Sequence, residues 1–263
     1  MPRERCSATI ITFNEESNLR ACLESVRWAD EVIVVDSGSY DGTVSIAREF
    51  TDKVFQNSWP GMREQKNLAA DHATSPWIFN LDADERVSIE GKDLILRALE
   101  QPNHAGYSFP RKNYFLGRWM RYGGWYPDEV LRLYRKADGE FGGINPHCNV
   151  VLKRGTAGKI SIPLAHYTYT SFAQYMAKQY PYIEAAARET WDKGNVRSVS
   201  AARIFSKTTW KFIETFILKR GFLDGPHGLI AAFGSTFAAY MKQARLWELS
   251  RKESKSPKDR SQV

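Results

Sequence analysis

The densest chemistry in this 263-residue chain is Asp82-Ala83-Asp84-Glu85, which directly follows the apolar segment Trp77–Leu81. Two carboxylates one residue apart at a strand end can hold a hard divalent cation, with diphosphate oxygens and water completing its coordination. Such a cation neutralises charge on a departing nucleotide diphosphate. An isolated Asp-x-Asp is more often a solvated acidic turn that caps the next helix, but here two other polar strand ends line up with it. Thr12-Phe13-Asn14-Glu15 closes an earlier apolar run. Its small and amide groups suit a base or ribose, although Asn14 could equally cap a helix with Glu16 or Ser17 helping. Asp36-Ser37 ends a third run, where acidic residues of nucleotide-binding folds take ribose hydroxyls; capping, shared with Ser39 and Asp41, is the alternative. Arg63 and Lys66 lie three apart, so on a helix they share a face that meets either phosphate or water.

These groups need a frame that brings their ends together. Ser7–Phe13 reads as a buried strand, and Glu15–Trp28 repeats Leu19, Cys22, Leu23 and Val26 at helical spacing. Glu31–Val35 is a second strand. Asp41-Gly42-Thr43 opens a helix through Ala47 to Phe50, Val54-Phe55 is a short strand, Arg63–His72 a helix and Trp77–Leu81 a fourth strand. Strands alternating with helices predict an α/β fold, Rossmann-like and doubly wound, with a mostly parallel sheet that binds ligands beyond the carboxyl ends of its strands. Residues 104–166 are rich in glycine and aromatics, with strand-like pieces at Val130–Tyr134, Val150–Lys153 and Ile160–Leu164. Flat rings pack on the apolar faces of sugars, so this part suits the acceptor side of a sugar site. The pattern is helical from Ser171 through Trp191 and again from Ala201 to Leu249. The expected organisation is a catalytic domain over 1–170, with its nucleotide-sugar half at about 1–100 and its acceptor half at about 101–170. A helical extension follows over 171–249, then a disordered charged tail over 250–263.

Composition bounds the partners. Lys and Arg number 37 against 30 Asp and Glu, a net charge of +7 that suits a nucleotide diphosphate, an acidic lipid surface or nucleic acid. The three cysteines are odd in number and far apart, with no CxxC pair, as expected of a reducing cytoplasm. Residues 1–7 lead straight into a strand, so no signal peptide is expected. Gly221–Tyr240 is broken by Asp224, Pro226 and His227, too early for the roughly 20 apolar residues of a spanning helix.

Four motifs in order resemble glycosyltransferase family 2, with its GT-A fold: Ile10–Glu15; Val32–Ser39 with Asp41–Thr43; Gln65–Asn67; and Leu81–Glu85. The resemblance covers about the first third of the chain. It implies a nucleotide-sugar donor, a manganese or magnesium ion and inversion at the anomeric carbon. Thr12, Phe13, Asn14, Glu15, Asp36, Ser37, Arg63, Lys66, Asp82 and Ala83 would hold the nucleotide sugar, and Asp84 the metal. Further on, Gly123–Asp128, Leu131–Arg135 and Gly142–His147 resemble the subgroup containing bacterial lipopolysaccharide core glucosyltransferases, as does Gly221–Gly225 with the apolar helix after it. Tyr134 stands where that subgroup would have phenylalanine. The subgroup implies UDP-glucose as donor and an inner-core heptose, or a similar lipid-linked saccharide, as acceptor at the inner face of the bacterial cytoplasmic membrane.

An inverting transfer needs a carboxylate that takes the acceptor hydroxyl's proton. Family members place it past the metal motif, which points to Asp128 with Glu129 as fallback; a simple Pro127-Asp128 turn is the alternative. A late histidine completes the metal site in many GT-A enzymes, so His166 is the second metal ligand, with His147 as its competitor and a structural histidine as the bland alternative. Arg132 and Arg135 meet acidic acceptor groups or line an exposed strand. Aromatics beside Lys207, Lys211, Lys219 and Arg220 suit peripheral contact with anionic lipid, or packing on the catalytic domain. Three rival functions fit less well. A nucleotidyltransferase would show a glycine-rich loop after the first strand, and Thr12–Ser17 has no glycine. Nucleic-acid binding leaves three acidic strand ends unexplained, so no nucleic-acid partner is expected. A degenerate transferase acting as a scaffold would not need the full motif set.

Overall fold

A computed structural model describes residues 3–143, 148–194, 196 and 198–255. The chain forms two compact units. One takes residues up to Tyr114 together with Pro127–Thr168, and the other takes Phe115–Tyr126 together with Tyr169 onward.

The first unit is an α/β sandwich. Its strands are β1 (Cys6–Thr12), β2 (Glu31–Asp36), β3 (Val54–Gln56), β4 (Trp77–Asp82), β5 (Glu85–Arg86) and β6 (Gly106–Phe115). After β7 (Arg118–Trp119) of the second unit come β8 (Asp128–Arg135), β9 (Gly139–Gly142), β10 (Asn149–Leu152), β11 (Ala157–Lys159) and β12 (Leu164–Tyr169). Its helices are α1 (Glu16–Ser25), α2 (Thr43–Arg48), α3 (Met62–Asp71) and α4 (Ile89–Glu100). The main path of the sheet runs β3-β2-β1-β4-β8-β6-β12-β5. Its first four strands are parallel, while β8 is antiparallel to both β4 and β6. β1 is buried along its whole length, as a strand covered on both faces must be. Leu19, Cys22 and Leu23 of α1 join Ile95 and Leu99 of α4 on one face, and Ala69 and Ala70 of α3 cover the other. Register places Thr12 opposite Asp36 and Ile11 opposite Asp82, so the three polar strand ends stand side by side.

Two strand boundaries differ from the sequence pattern. Ile160–Leu164 is not a strand, because Pro163 lacks an N–H and restricts Ile162 before it; pairing starts at Leu164 and takes in His166. The ten-residue β6 hides in the aromatic-rich stretch and carries Arg111 and Asn113 two apart on one face. At the opposite end of the strands Glu31 is buried, with hydrogen bonds from the Thr74 N–H at 2.8 Å and the Thr74 hydroxyl at 3.1 Å, and with Ser7 and Lys53 also on its carboxylate. Burial opposes its charge, yet these donors outweigh it and pull its pKa down to about 2.

The second unit is helical. α5 (Phe172–Asp192) and α6 (Ala201–Phe212) both contact α7 (Gly225–Lys255). The expected helical region over 201–249 is interrupted by a π-helical turn at Ile213–Leu218 and a 3-10 turn at Gly221–Asp224. α7 continues to Lys255, which corrects the expectation of disorder from residue 250: Ser250 and Arg251 are helical, with Arg251 over the Trp247 ring. Residues 256–263 lie outside the described residues. No helix among the described residues is long and apolar enough to cross a membrane.

Candidate active site

The loop after β4 holds the acidic cluster, and it does not cap the next helix. That work is done by Ser88, whose hydroxyl accepts from the Gly91 N–H at 3.1 Å. Instead the cluster enters a chain of charges. Asp82 Oδ1 meets Lys66 Nζ at 2.6 Å and its Oδ2 meets Arg132 at 2.5 Å. Arg132 also reaches Glu85 at 2.5 Å and Asn80 Oδ1 at 3.1 Å. Glu85 meets Arg111 at 3.2 Å, and Arg111 meets Asp128 at 2.6 Å. Three cations thus face three carboxylates, and Lys66, Arg132 and Glu85 are buried. Burial alone would raise Asp82, but Arg132 and Lys66 hold it well below the usual carboxylate range. Burial likewise opposes the charge of Arg132, and Asp82 and Glu85 overcome it.

With both oxygens of Asp82 engaged by cations, Asp84 is the carboxylate of the pair that could hold a metal. Its Oδ1 lies 3.4 Å from His166 Nε2. Adjacent ligands of an octahedral ion with bonds of about 2.1 Å stand roughly 3 Å apart, so one ion fits between these two atoms with little adjustment. His166 Nδ1 is 2.6 Å from Asn113 Oδ1, an arrangement that keeps the proton on Nδ1 and aims Nε2 at Asp84. Burial disfavours the charged imidazole, but Asp84 and Glu85 hold His166 above its ordinary value, so a proton would compete with a metal for Nε2. Among the described residues no cluster of three or more His, Cys, Asp and Glu groups could hold an ion. Asp84 and His166 would therefore share it with ligand oxygens and water. The competitor His147 lies outside the described residues.

Asn113 passes the order on to Asp128. Its Nδ2 donates to Asp128 Oδ2 at 3.1 Å, the oxygen that also receives Arg111 Nε at 2.9 Å. Oδ1 of Asp128 stands outside these contacts on a side chain 32% exposed. Glu129, next along β8, points away and pairs with Lys159 at 2.5 Å.

At the parallel strand ends the predicted residues divide into exposed and internal groups. Phe13 is 51% exposed and packs edge-on against Tyr40, 86% exposed, with centroids 6.2 Å apart. Asn14 does not cap α1. It sits at φ 51°, and its Oδ1 accepts from the Tyr40 N–H at 3.0 Å. The N-cap position is Glu15, without a side-chain cap bond; its Oε2 accepts from Asn18 at 2.8 Å. Asp36 is fully buried and accepts from the Gly38 and Ser39 N–H groups, both at 2.9 Å, so it closes the loop that carries Ser39 and Tyr40. Thr12 Oγ1 is buried without a hydrogen-bond partner. Helix α3 deals three successive residues into this floor: Gln65 to Ser37 Oγ at 3.1 Å, Lys66 to Asp82, and Asn67 to the Phe141 carbonyl at 3.0 Å.

Several sequence assignments change against this geometry. Arg63 and Lys66 do not act as a pair, because Lys66 is buried while Arg63 turns to Glu64 and the Gly143 carbonyl, 3.0 Å away. Arg132 is an internal counter-ion rather than a contact for acidic acceptor groups, and Arg135 pairs with Glu4 at 2.9 Å. Tyr134 is fully buried with no partner for its hydroxyl, a phenylalanine-like position at which burial pushes the phenol up. Arg111, Asn113 and Tyr40 were not read from the sequence. Alternation of Arg111 and Asn113 was the available signal for two of them, once 106–115 is seen as a strand.

A mostly parallel nucleotide-binding half continued by antiparallel strands, with an Asp-x-Asp loop at its edge, is the GT-A arrangement of sugar-transferring enzymes. The chain belongs to glycosyltransferase family 2: a family model described as "Glycosyl transferase family 2" matches residues 7–156. It is 32% identical over 257 residues to an uncharacterized glycosyltransferase of Rickettsia felis, covering 93% of this chain and 90% of that one. It is 26% identical over 260 residues to the lipopolysaccharide core biosynthesis glycosyltransferase LpsC of Rhizobium meliloti, covering 94% of each. Among solved structures, residues 1–349 of S. aureus TarS in complex with UDP-GlcNAc match with TM-score 0.49 and 14% identity, over 95% of this chain and 92% of that chain.

Proposed function

We propose that this glycosyltransferase moves glucose from UDP-glucose, with inversion, to an inner-core heptose of lipopolysaccharide or a similar membrane glycolipid. The observation that carries the reading is the continuous chain Asp84, His166, Asn113, Asp128, which joins two groups that could hold a metal to a carboxylate whose Oδ1 lies outside the contacts of its Oδ2. Manganese or magnesium, when bound at Asp84 and His166, supplies charge neutralisation for the departing diphosphate. Lys66 and Arg132 hold Asp82 rigidly beside that position, while Phe13 offers an exposed ring and Asn14 and Glu15 hold the loop beneath it. Asp128 takes the acceptor hydroxyl's proton, its Oδ2 fixed by Arg111 and Asn113 so that Oδ1 faces the incoming group. LpsC is the relative whose name points to a lipopolysaccharide acceptor.

Calorimetry with a panel of nucleotide sugars, with manganese and then with chelator, tests the donor and the metal together. Binding of UDP-glucose that vanishes with chelator is expected; metal-independent binding sinks the metal assignment, and no binding to any nucleotide sugar sinks the reading.

A membrane acceptor is matched by the surface of the second unit. Phe205, Trp210, Ile217, Leu218 and Phe233 are each more than half exposed, and Lys207 and Arg220 lie among them in sequence. Such a face lies in the interfacial layer of an anionic bilayer at the inner side of the cytoplasmic membrane. The chain is expected to sediment with phosphatidylglycerol vesicles and to be released as salt rises; equal binding to neutral vesicles removes the electrostatic part of this proposal.

A further inference from the structure

The 3-10 turn Gly221–Asp224 contains a buried carboxylate that the transfer reaction does not use. Asp224 is 1% exposed, and its Oδ2 accepts the backbone N–H groups of Arg121 at 3.0 Å and Tyr122 at 2.9 Å. The next amide, Gly123, donates to the Lys219 carbonyl at 2.8 Å. Three consecutive N–H groups of one loop are therefore taken by one short segment of the helical region.

That segment is built at a conformational cost. Ile213–Leu218 is a π-helical turn, closed by the Lys219 N–H on the Glu214 carbonyl at 2.8 Å. Arg220, which is not glycine, follows in the left-handed region at φ 55°. Gly221 and Gly228 then meet so closely that a Cβ on Gly228 would lie 1.9 Å from the Gly221 carbonyl oxygen. π turns and left-handed non-glycine residues are rare, and they gather where geometry is held for a purpose. Here they bring Lys219 and Asp224 to the same loop from either side of Arg220.

The loop so held carries Trp119, Tyr122, Trp125 and Tyr126, all only partly buried. The Arg121 guanidinium stacks 4.3 Å from the Trp119 ring, and Trp119 meets Tyr126 edge-on at 5.6 Å. Gly123 and Gly124 at φ 67° and 87° turn the backbone, which then runs through Pro127 into Asp128. We propose that Asp224 is a positioning residue for the acceptor: by fixing the backbone of residues 121–122 it sets the rings on which the acceptor sugar stacks. This rests on the reading of the aromatic loop as the acceptor side. A carboxylate accepts both amides through one oxygen, and an asparagine carbonyl could do the same, whereas alanine could not.

The test compares Asp224→Ala and Asp224→Asn with the unaltered full chain. Amide hydrogen exchange at Arg121 and Tyr122 is expected to quicken by about tenfold in Asp224→Ala, with the amides of α5 and α7 still protected, and to return towards the original rate in Asp224→Asn. With UDP-glucose and lipopolysaccharide truncated at its inner-core heptose, KM for the lipopolysaccharide is expected to rise about tenfold in Asp224→Ala while affinity for UDP-glucose stays unchanged. Unchanged exchange at both amides overturns the proposal, as does a loss of donor affinity equal to the loss of transfer. If Asp224→Ala loses protection throughout the second unit, Asp224→Asn decides: normal loop exchange with a raised acceptor KM overturns the link between the two. If the unaltered chain binds no nucleotide sugar the functional reading fails, while the exchange comparison still decides whether Asp224 holds the loop.

Discussion

Asp84→Ala is expected to lower kcat/KM by about a thousandfold, or about 4 kcal/mol, with little change in thermal stability. The asymmetry inside Asp82-Ala83-Asp84 is the reason. Asp82 is an internal anion neutralising Lys66 and Arg132, both buried. Its removal leaves two cations inside the protein and is expected to cost about 3 kcal/mol of folding stability, which shows as a lowered Tm before any assay is run. Asp84 faces His166 instead, 3.4 Å away. Steady-state kinetics at saturating manganese, beside thermal denaturation of both variants, separates the roles. An Asp84→Ala enzyme with near-normal turnover would remove the metal site from Asp84, and an Asp82→Ala enzyme with unchanged Tm would remove Asp82's role as an internal counter-ion.

The parallel half of the fold was legible because its signals are local. A buried parallel strand such as Cys6–Thr12 or Glu31–Asp36 is built on a run of apolar, largely β-branched residues, and each run here closes on a polar residue, Thr12 or Asp36, that marks the strand end. Side-by-side placement of the ends follows from alternation with helices. The antiparallel half was less legible. β6 mixes Pro110, Arg111, Lys112 and Asn113 among aromatics, because one face of this strand lines a charged interior rather than a hydrophobic core. Period-2 reasoning expects polar residues to point to water, and here Arg111 points to Glu85 and Asp128.

The same cause hid the counter-ions. Lys66 and Arg132 look like surface cations in a sequence, since an unpaired buried charge is prohibitively costly. They are tolerable because Asp82, Asn80 and Glu85, distant in sequence, supply partners at 2.5–3.1 Å. Pairing of that kind is a tertiary fact with no local signature. His166, expected through family resemblance, lies 3.4 Å from Asp84, and its strand begins only after Pro163, beyond the apolar run that suggested one. Asp36 shows a second gap: beyond the ligand contact that a strand-end acid suggests, both its oxygens accept from its own loop, a role with no signature in the local sequence.

Asp128→Asn is expected to leave UDP-glucose binding intact and to lower the rate of transfer by about a thousandfold, within the range for loss of a general base. Asparagine keeps the shape and can still accept from Arg111 and Asn113, so the surrounding order persists while the basic oxygen is gone. What makes the prediction specific is the alternation along β8. Asp128 shares a face with Arg111, Asn113 and His166, whereas Glu129 is turned to Lys159 on the other side. Glu129→Gln should therefore transfer at close to the normal rate. Calorimetric donor affinity and single-turnover transfer for the two variants distinguish every case: a slow Glu129→Gln beside a normal Asp128→Asn would move the base to its neighbour. Normal rates in both would mean that the acceptor is deprotonated by a group outside this strand, and the chain from Asp84 through His166 and Asn113 would then serve only to hold the metal.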